Sequence, residues 1–590
     1  MKLIKYIYTG CMVGVLISGL NGCRKLEEYN PSGATADAAW STPDGFITLV
    51  NAAYSDQRNW YSKEDGIFMG ESGTDLWFNR EKNGYAQQLT KYVGLNSLQG
   101  NPVRATWREL WKGINLCNAG INRIGDAGFT DINERNKREG ELRFLRAFYY
   151  WHIVETWGGV MLRTQETKEP ELTATRSSVN DFYNLIISDL EFAAANLPTQ
   201  QQWGLEYSRA SKKSALGFLA RALLSRAYYS LAAGNTTEAN GFFSRARDVA
   251  QDVINRKLEF GIDLHANPTA LWDYTSNENG HNIEALYTIS ISTNTGLNIE
   301  DNANRVFMTF QTPYTGDLKP ALQASLEYGL DSERRLMPTL QLLDYFDETK
   351  DARYQASFQE IWIANSTDPF QWTPANISKF QKNPVLTGSV IRPGIDTALY
   401  ITKKRITNEA FRPYIVIDRD SIYDAEGKIR AGTRDYVTLK KFMDPGRAAA
   451  NSRVGTRDII VMRLAEMYMI IAEAEFQLGN SDRAATAINV LRTRAALPGK
   501  TADMQVSAGD ITTNFILEER AREFCGEYMR WFDLKRMLYG NNGQEFVNFI
   551  KERNPDIVDV QNFHRLRPIR QEELNALLNG VEFGNNPGYN

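Results

Sequence analysis

Two stretches far apart in the chain share the same helical punctuation, and this restricts the fold more than any other feature. Residues 215–250 read ALGFLARALLSRAYYSLAAGNTTEANGFFSRARDVA, and residues 463–495 read RLAEMYMIIAEAEFQLGNSDRAATAINVLRTRA. In each, an alanine-rich run with apolar residues at three- and four-residue spacing stops at a Gly-Asn pair, Gly234-Asn235 or Gly479-Asn480. A second helical run then begins within a few residues. The glycine supplies the left-handed position that closes one helix, and Asn235 or Ser481 can cap the next. Small residues such as Ala220, Ala227, Ala472 and Ala474 let two helix backbones approach closely.

Each stretch is therefore a helical hairpin of tetratricopeptide type, a unit that buries its apolar face only by stacking on neighbours. Further amphipathic helices are predicted over residues 139–154, stopping near Gly158-Gly159, and over residues 180–195, with Ser178 or Asn180 as N-cap and Pro198 beyond the end. Between the hairpins, from 260 to 458, helical periodicity largely fails. The segment is rich in Asn, Thr, Gly and Pro, with β-like runs at 285–292 and 414–418 and a helix predicted at 338–346. A structureless loop of that length is implausible in a compact domain. The reading is a mostly α chain, tetratricopeptide-like repeats carrying a long irregular insertion poor in regular helix and strand.

The N-terminus sets the compartment. Lys2 and Lys5 precede an apolar run from Ile7 to Leu20, too short for a comfortable span but suited to a signal peptide. It ends in Leu20-Asn21-Gly22-Cys23, which resembles a bacterial lipobox. Cleavage before Cys23 would leave that thiol and the new amine acylated, and several acyl chains anchor far more firmly than one. Residues 1–22 are thus the expected signal peptide and 23–35 a lipidated tether, containing Asn30-Pro31-Ser32-Gly33. Residues 36–590 form the expected single domain. Arg24-Lys25-Leu26-Glu27-Glu28 resembles a surface-export signal, which points to the outside of an outer membrane.

The net charge of -4 argues against a nucleic-acid partner. Of the four cysteines, Cys117 and Cys525 fall in helical patterns and read as buried free thiols, and no spacing suggests structural zinc. Arg143, Arg146, Glu466, Glu473, Arg492, Glu519, Arg522, Glu523 and Asp533 sit within apolar helices. Desolvation makes unpaired charges there costly, so they are expected to pair across the stack and fix its register.

The order of motifs resembles the SusD/RagB family over essentially the whole chain. It comprises the lipobox, the WxxLWxxINxxNxxI pattern of 107–124, ELRFLRA at 141–147, RLAE at 463–466, AEA at 472–474, NVLRTRA at 489–495, EERAREF at 518–524, RWFDLKR at 530–536, Pro568-Ile569, and NPGY at 586–589. The resemblance implies a SusD-like fold of paired helices with an irregular ligand side. It also implies a lipid-anchored outer-membrane protein that binds oligosaccharide, or in some members peptide, and delivers it to a SusC-like TonB-dependent transporter.

Sugars need flat rings for their C–H faces and amides, carboxylates or guanidinium for their hydroxyls. The tract SGTDLWFNR at 72–80 supplies Asp75, Trp77, Asn79 and Arg80, and the family's corresponding loop contributes to its glycan platform. Tyr314 in FQTPY and Trp372 in QWTP are further candidates from the insertion. Catalysis finds little support. The four histidines are scattered, with no HExxH, nucleophile elbow or phosphate-binding loop, so no enzyme activity, metal or cofactor is expected. Two alternatives stay open: the same scaffold binding peptide or another nutrient, and a lipid-anchored hydrolase.

Overall fold

The structure, a computed structural model, describes residues 36–79, 84–98, 101–294, 296–298, 303–330 and 335–589. The signal peptide, Cys23 and its tether, and Arg80 lie outside the described residues. Thirteen helices of eight residues or more occur among those described: α1 Pro43–Trp60, α2 Glu64–Glu71, α3 Gly84–Lys91, α4 Asn101–Arg123, α5 Ile132–Trp157, α6 Val179–Asn196, α7 Lys212–Ala232, α8 Thr236–Asn255, α9 Leu464–Gln477, α10 Ser481–Ala495, α11 Thr513–Glu523, α12 Arg530–Met537 and α13 Gln544–Arg553. From α4 to α10, each packs on the next in chain order, and α8 meets α9 across the insertion. The helical stack is therefore continuous in space although the chain leaves it for about 200 residues.

Local chemistry explains the helix limits. The Asp131 side chain accepts from Asn133 N to start α5, which closes at Gly158 with φ 71°. Ser178 and Asp181 form a capping box at α6. Asn235 caps α8 through Glu238 N, after Gly234 at φ 80°. At the second hairpin Gly479 turns the chain at φ 83°, but Asn480 takes the N-cap position and Ser481 is already helical. The Asn480 amide is drawn back to Glu475 Oε2 at 2.7 Å, so this cap lacks the side-chain bond expected of Ser481. Helix α5 is buried over its last twenty residues except at Arg143, with Phe144, Phe148, Trp151 and Trp157 all in the core and its charged residues held in ion pairs or hydrogen bonds. Helix α4 approaches it through Gly113 and Gly120. A Cβ at either would lie 2.5 Å from the Tyr149 ring or 2.4 Å from Leu142.

The insertion is a set of short ladders hung on this frame. Strand β1 (Trp77–Asn79) pairs antiparallel with β3 (Leu336–Pro338). Strand β2 (Ala285–Ile289) pairs antiparallel with β7 (Ile459–Arg463), which runs directly into α9. Between them β4 (Ile361–Ile363), β5 (Thr397–Ile401) and β6 (Ile415–Ile417) make a three-stranded sheet, antiparallel then parallel. The helix predicted at 338–346 is shorter. Pro338 belongs to β3, and Thr339 caps a helix confined to Leu340–Asp344. A separate small core around Trp372, with Ala364, Ile377 and Ile391, supports the outer part of the insertion.

Buried ion pairs lock insertion to frame. Arg463 binds Glu284, Glu523 and Glu527, each at 2.7 Å. Arg494 also reaches Glu284 and Glu523. Arg353 joins Asp351 and Glu519 at 2.8 Å and Glu523 at 3.1 Å, while Arg492 and Arg522 complete Glu519. Lys441 closes the far end on Glu527 at 2.9 Å. Six cations and five carboxylates thus form one connected lattice, drawn from β7, α10, α11 and segments around 284, 353, 441 and 527. A second lattice, Glu473 and Asp533 with Arg520 and Arg536, ties α9, α11 and α12. Arg221 grips Glu466 from α7, and Arg143 and Arg146 of α5 share Asp189 of α6. The expected pairing of the nine motif charges is therefore found. The cationic surroundings hold Glu519 and Glu523 well below the usual carboxylate range, overriding the desolvation that opposes them.

Candidate functional site

The described part of the 72–80 tract, residues 72–79, is a buried turn running into the short strand β1 (Trp77–Asn79) rather than a binding platform. Trp77 is fully buried, packs 4.9 Å from Phe310, and donates its indole N–H to Glu71 Oε2 at 2.7 Å. Burial pushes the Glu71 carboxyl up to about 8 against that bond and the backbone N–H of Met529. Asp75 is also fully buried. It receives Arg530 through two bonds of 2.8 and 2.7 Å, and the Tyr345 hydroxyl at 3.1 Å. The Asn554 amide then holds the carbonyls of Thr74 and Trp77. A ring enclosed in this way has no face left for a sugar, and a fully buried carboxylate held by Arg530 and Tyr345 presents no oxygen to the surface. Two expectations are therefore corrected: Asp75 and Trp77 are structural.

The insertion candidates fall the same way. Tyr314 is 2% exposed; its hydroxyl donates to Gly329 O at 2.9 Å and accepts from Ser325 N. Trp372 is the centre of the small outer core, with its indole on Pro413 O at 3.0 Å. Both stand beside polar residues in sequence, yet each spends its polar edge on a backbone carbonyl.

Asn79 differs. It is buried, but among the described residues neither atom of its side-chain amide has a hydrogen-bond partner. A buried amide with nothing to bind costs about 1–3 kcal/mol, and such a group calls for an explanation. Asn79 faces Leu336 at the open end of the β1–β3 ladder. Beside Leu336, Arg335 pairs with Glu64 of α2 at 3.1 Å. Lys63 donates to Ala303 O at 3.1 Å, and Arg305 N bonds Ser62 O. Burial, with Glu64 adjacent, raises the Asp65 carboxyl to about 7. The ladder end thus gathers amide, carboxylate and cationic groups from α2, β1 and the start of β3.

Two open clefts show residues that sequence reasoning passed over. On α4, Trp107 and Trp111 stand one turn apart with ring centroids at 5.6 Å, above Asn115 and Asn118, in a cleft of about 360 Å³. The i, i+4 tryptophans followed by asparagines were the available signal. A larger groove of about 580 Å³ is lined by Tyr228, Tyr229, Tyr539 and Phe563. Its walls come from distant parts of the chain, so spacing gave no hint of it.

A stack of paired helices bearing an irregular face with polar and aromatic clefts defines a protein of the helical-repeat class. Residues 333–589 match the SusD family model, and residues 48–224 match a model described as starch-binding, associating with outer membrane. These matches span most of the chain, which belongs to the SusD family. It is 26% identical to a SusD-like protein of Formosa agariphila over 98% of both chains. It is 22% identical to the starch-binding protein SusD of Bacteroides thetaiotaomicron over 100% of this chain and 99% of that one. Among solved structures, a laminarin-binding SusD-like protein aligns with a TM-score of 0.64 at 19% identity, covering 93% of this chain and all of that one. A SusD superfamily protein from Bacteroides fragilis gives 0.65 with the same identity and coverage.

Proposed function

We propose that the chain is a cell-surface, lipid-anchored glycan-binding protein, without catalytic activity, that passes oligosaccharide to a SusC-like TonB-dependent transporter. Family membership carries this reading, since relatives across the whole length are named for starch and laminarin binding. The lipobox ending at Cys23 supports the anchor and the compartment. The buried histidines favour binding over catalysis. His152 places Nδ1 on Phe148 O within α5, and burial lowers it to about 3, so it stays neutral in the core.

The ligand surface is assigned to the open end of the β1–β3 ladder, with Asn79 as the first contact and Arg80 beside it in sequence. The orphaned Asn79 amide supports this, because a sugar hydroxyl would satisfy it. Replacing Asn79 with Ala should weaken oligosaccharide binding several-fold in calorimetry. It should leave thermal stability unchanged or higher, since an unsatisfied buried group is removed. Unchanged affinity would remove the ladder end from the site. Co-purification from native outer membranes tests the transporter: recovery of the chain without any TonB-dependent barrel would count against that partner.

A further inference from the structure

The groove of about 580 Å³ lies away from the β1–β3 ladder, between the end of α5, the outer half of α7, α12 and residues 562–566. The rings that reach its surface are Tyr229, Tyr539 and Phe563, each partly exposed, and the buried Tyr228 meets Tyr539 at 6.1 Å. Side-chain amides of Asn542 and Asn562 also line it. Flat rings flanked by amides are what a sugar ring requires, apolar faces within a rim of hydroxyls.

The charges set a further condition. Glu155 is matched by Lys535 at 3.1 Å, and Arg536 by Glu473 and Asp533. Arg565 is different. Its Nε donates only to Asn562 O at 3.3 Å, and no carboxylate pairs with it among the described residues. The groups facing it are Tyr229 and Lys535, so of the groove's three cations, Lys535, Arg536 and Arg565, only Arg565 lacks a carboxylate partner among the described residues. The neighbouring turn seats this guanidinium. Asn541, Asn542 and Gly543 are all left-handed, at φ 49°, 52° and 86°, and a Cβ on Gly543 would stand 2.4 Å from Arg565 Nε. A strained turn that clears room for an unpaired, half-buried guanidinium is a feature the fold itself does not need.

We propose that this groove binds a carboxylated sugar of the uronic-acid class. Arg565 receives the carboxylate through its planar fork, the tyrosine and phenylalanine rings cover the C–H face, and Asn542 and Asn562 take the hydroxyls. The site is separate from the ladder end, so either can fail without the other.

The test is calorimetry on the full-length chain in detergent, with digalacturonate and neutral galactobiose as probes. Digalacturonate should bind at least about ten-fold more tightly than galactobiose, the scale of one charge-assisted contact. Arg565→Gln should lower digalacturonate affinity by about ten- to a hundred-fold with an unchanged melting temperature, and Arg565→Lys should restore part of it. Asn542→Gly, which suits the left-handed backbone, should fold normally and lose several-fold, giving a second readout if the arginine variant is unstable. Equal affinity for the two sugars, or no loss in either folded variant, overturns the proposal. So does a loss of digalacturonate binding in Asn79→Ala, which would place the acidic sugar at the ladder end instead.

Discussion

Replacing Arg463 with Met should destabilise the protein more than any substitution in a surface ion pair. Arg463 is fully buried and serves three carboxylates at 2.7 Å. Its loss leaves Glu284 with Arg494 and Glu527 with Lys441, while Glu523 keeps Arg494 and Arg353. Removing one partner from a buried charge cluster costs about 3–5 kcal/mol, because carboxylates that have already lost their water then share fewer cations. A chain of roughly 550 ordered residues has an unfolding entropy near 1.2 kcal/mol/K, so this cost lowers the melting temperature by only about 3–4 °C. Differential scanning calorimetry should resolve that.

The pH profile gives a second handle on the same variant. Glu519 and Glu523 have folded-state pKa values depressed by their arginines. Their contribution is therefore complete above the ordinary carboxylate range and is lost as pH falls through it toward the depressed values. Wild-type melting temperature should drop as pH is lowered from about 5 to 3, where the unfolded chain takes up more protons than the folded one. In Arg463→Met the pKa of Glu523 rises toward normal, so the acid slope should flatten. The exposed pair Arg245–Glu191 is the control, with an expected effect of about 0–1 kcal/mol. An Arg463→Met protein that melts within a degree of wild type, with the same acid slope, would refute the claim that this lattice holds insertion to frame.

Other outcomes follow from burial. Trp77→Ala should cost about 3–5 kcal/mol through the cavity it leaves, read as a lower melting temperature rather than as a selective loss of ligand. Cys117 and Cys525 are fully buried and burial raises both thiols, so maleimide should label neither in the native protein and both in denaturant. Replacing Cys23 with Ser should release the protein from the membrane fraction; its retention there would refute the anchor.

Local grammar made much of the fold legible. Gly234-Asn235 and Gly479-Asn480 marked real hairpins, and Gly158 ended α5, because helix ends depend on residues a few positions apart. That buried charges must pair was also readable from Arg146, Glu473 or Asp533 alone. Their partners were not, since Arg463 finds Glu284 across 179 residues and Arg530 finds Asp75 across 455. The same blindness misplaced the ligand candidates. Asp75 and Trp77 suggest ligand contacts because the tract sets a ring beside Asp, Asn and Arg; Arg530, which buries Asp75, arrives from the far end of the chain. Tyr314 and Trp372 drew attention through polar neighbours, although each needed only one carbonyl to be content inside. The aromatic groove around Arg565 was invisible for the converse reason, being built from segments that touch only after folding.

The function proposed for the chain is glycan binding and not catalysis. Calorimetry of the full-length chain against a panel of neutral oligosaccharides, with reducing ends assayed in the same samples afterwards, tests it most directly. Saturable binding of at least one glycan and no new reducing ends are expected. Release of new reducing ends, or binding of peptides alone, would contradict it.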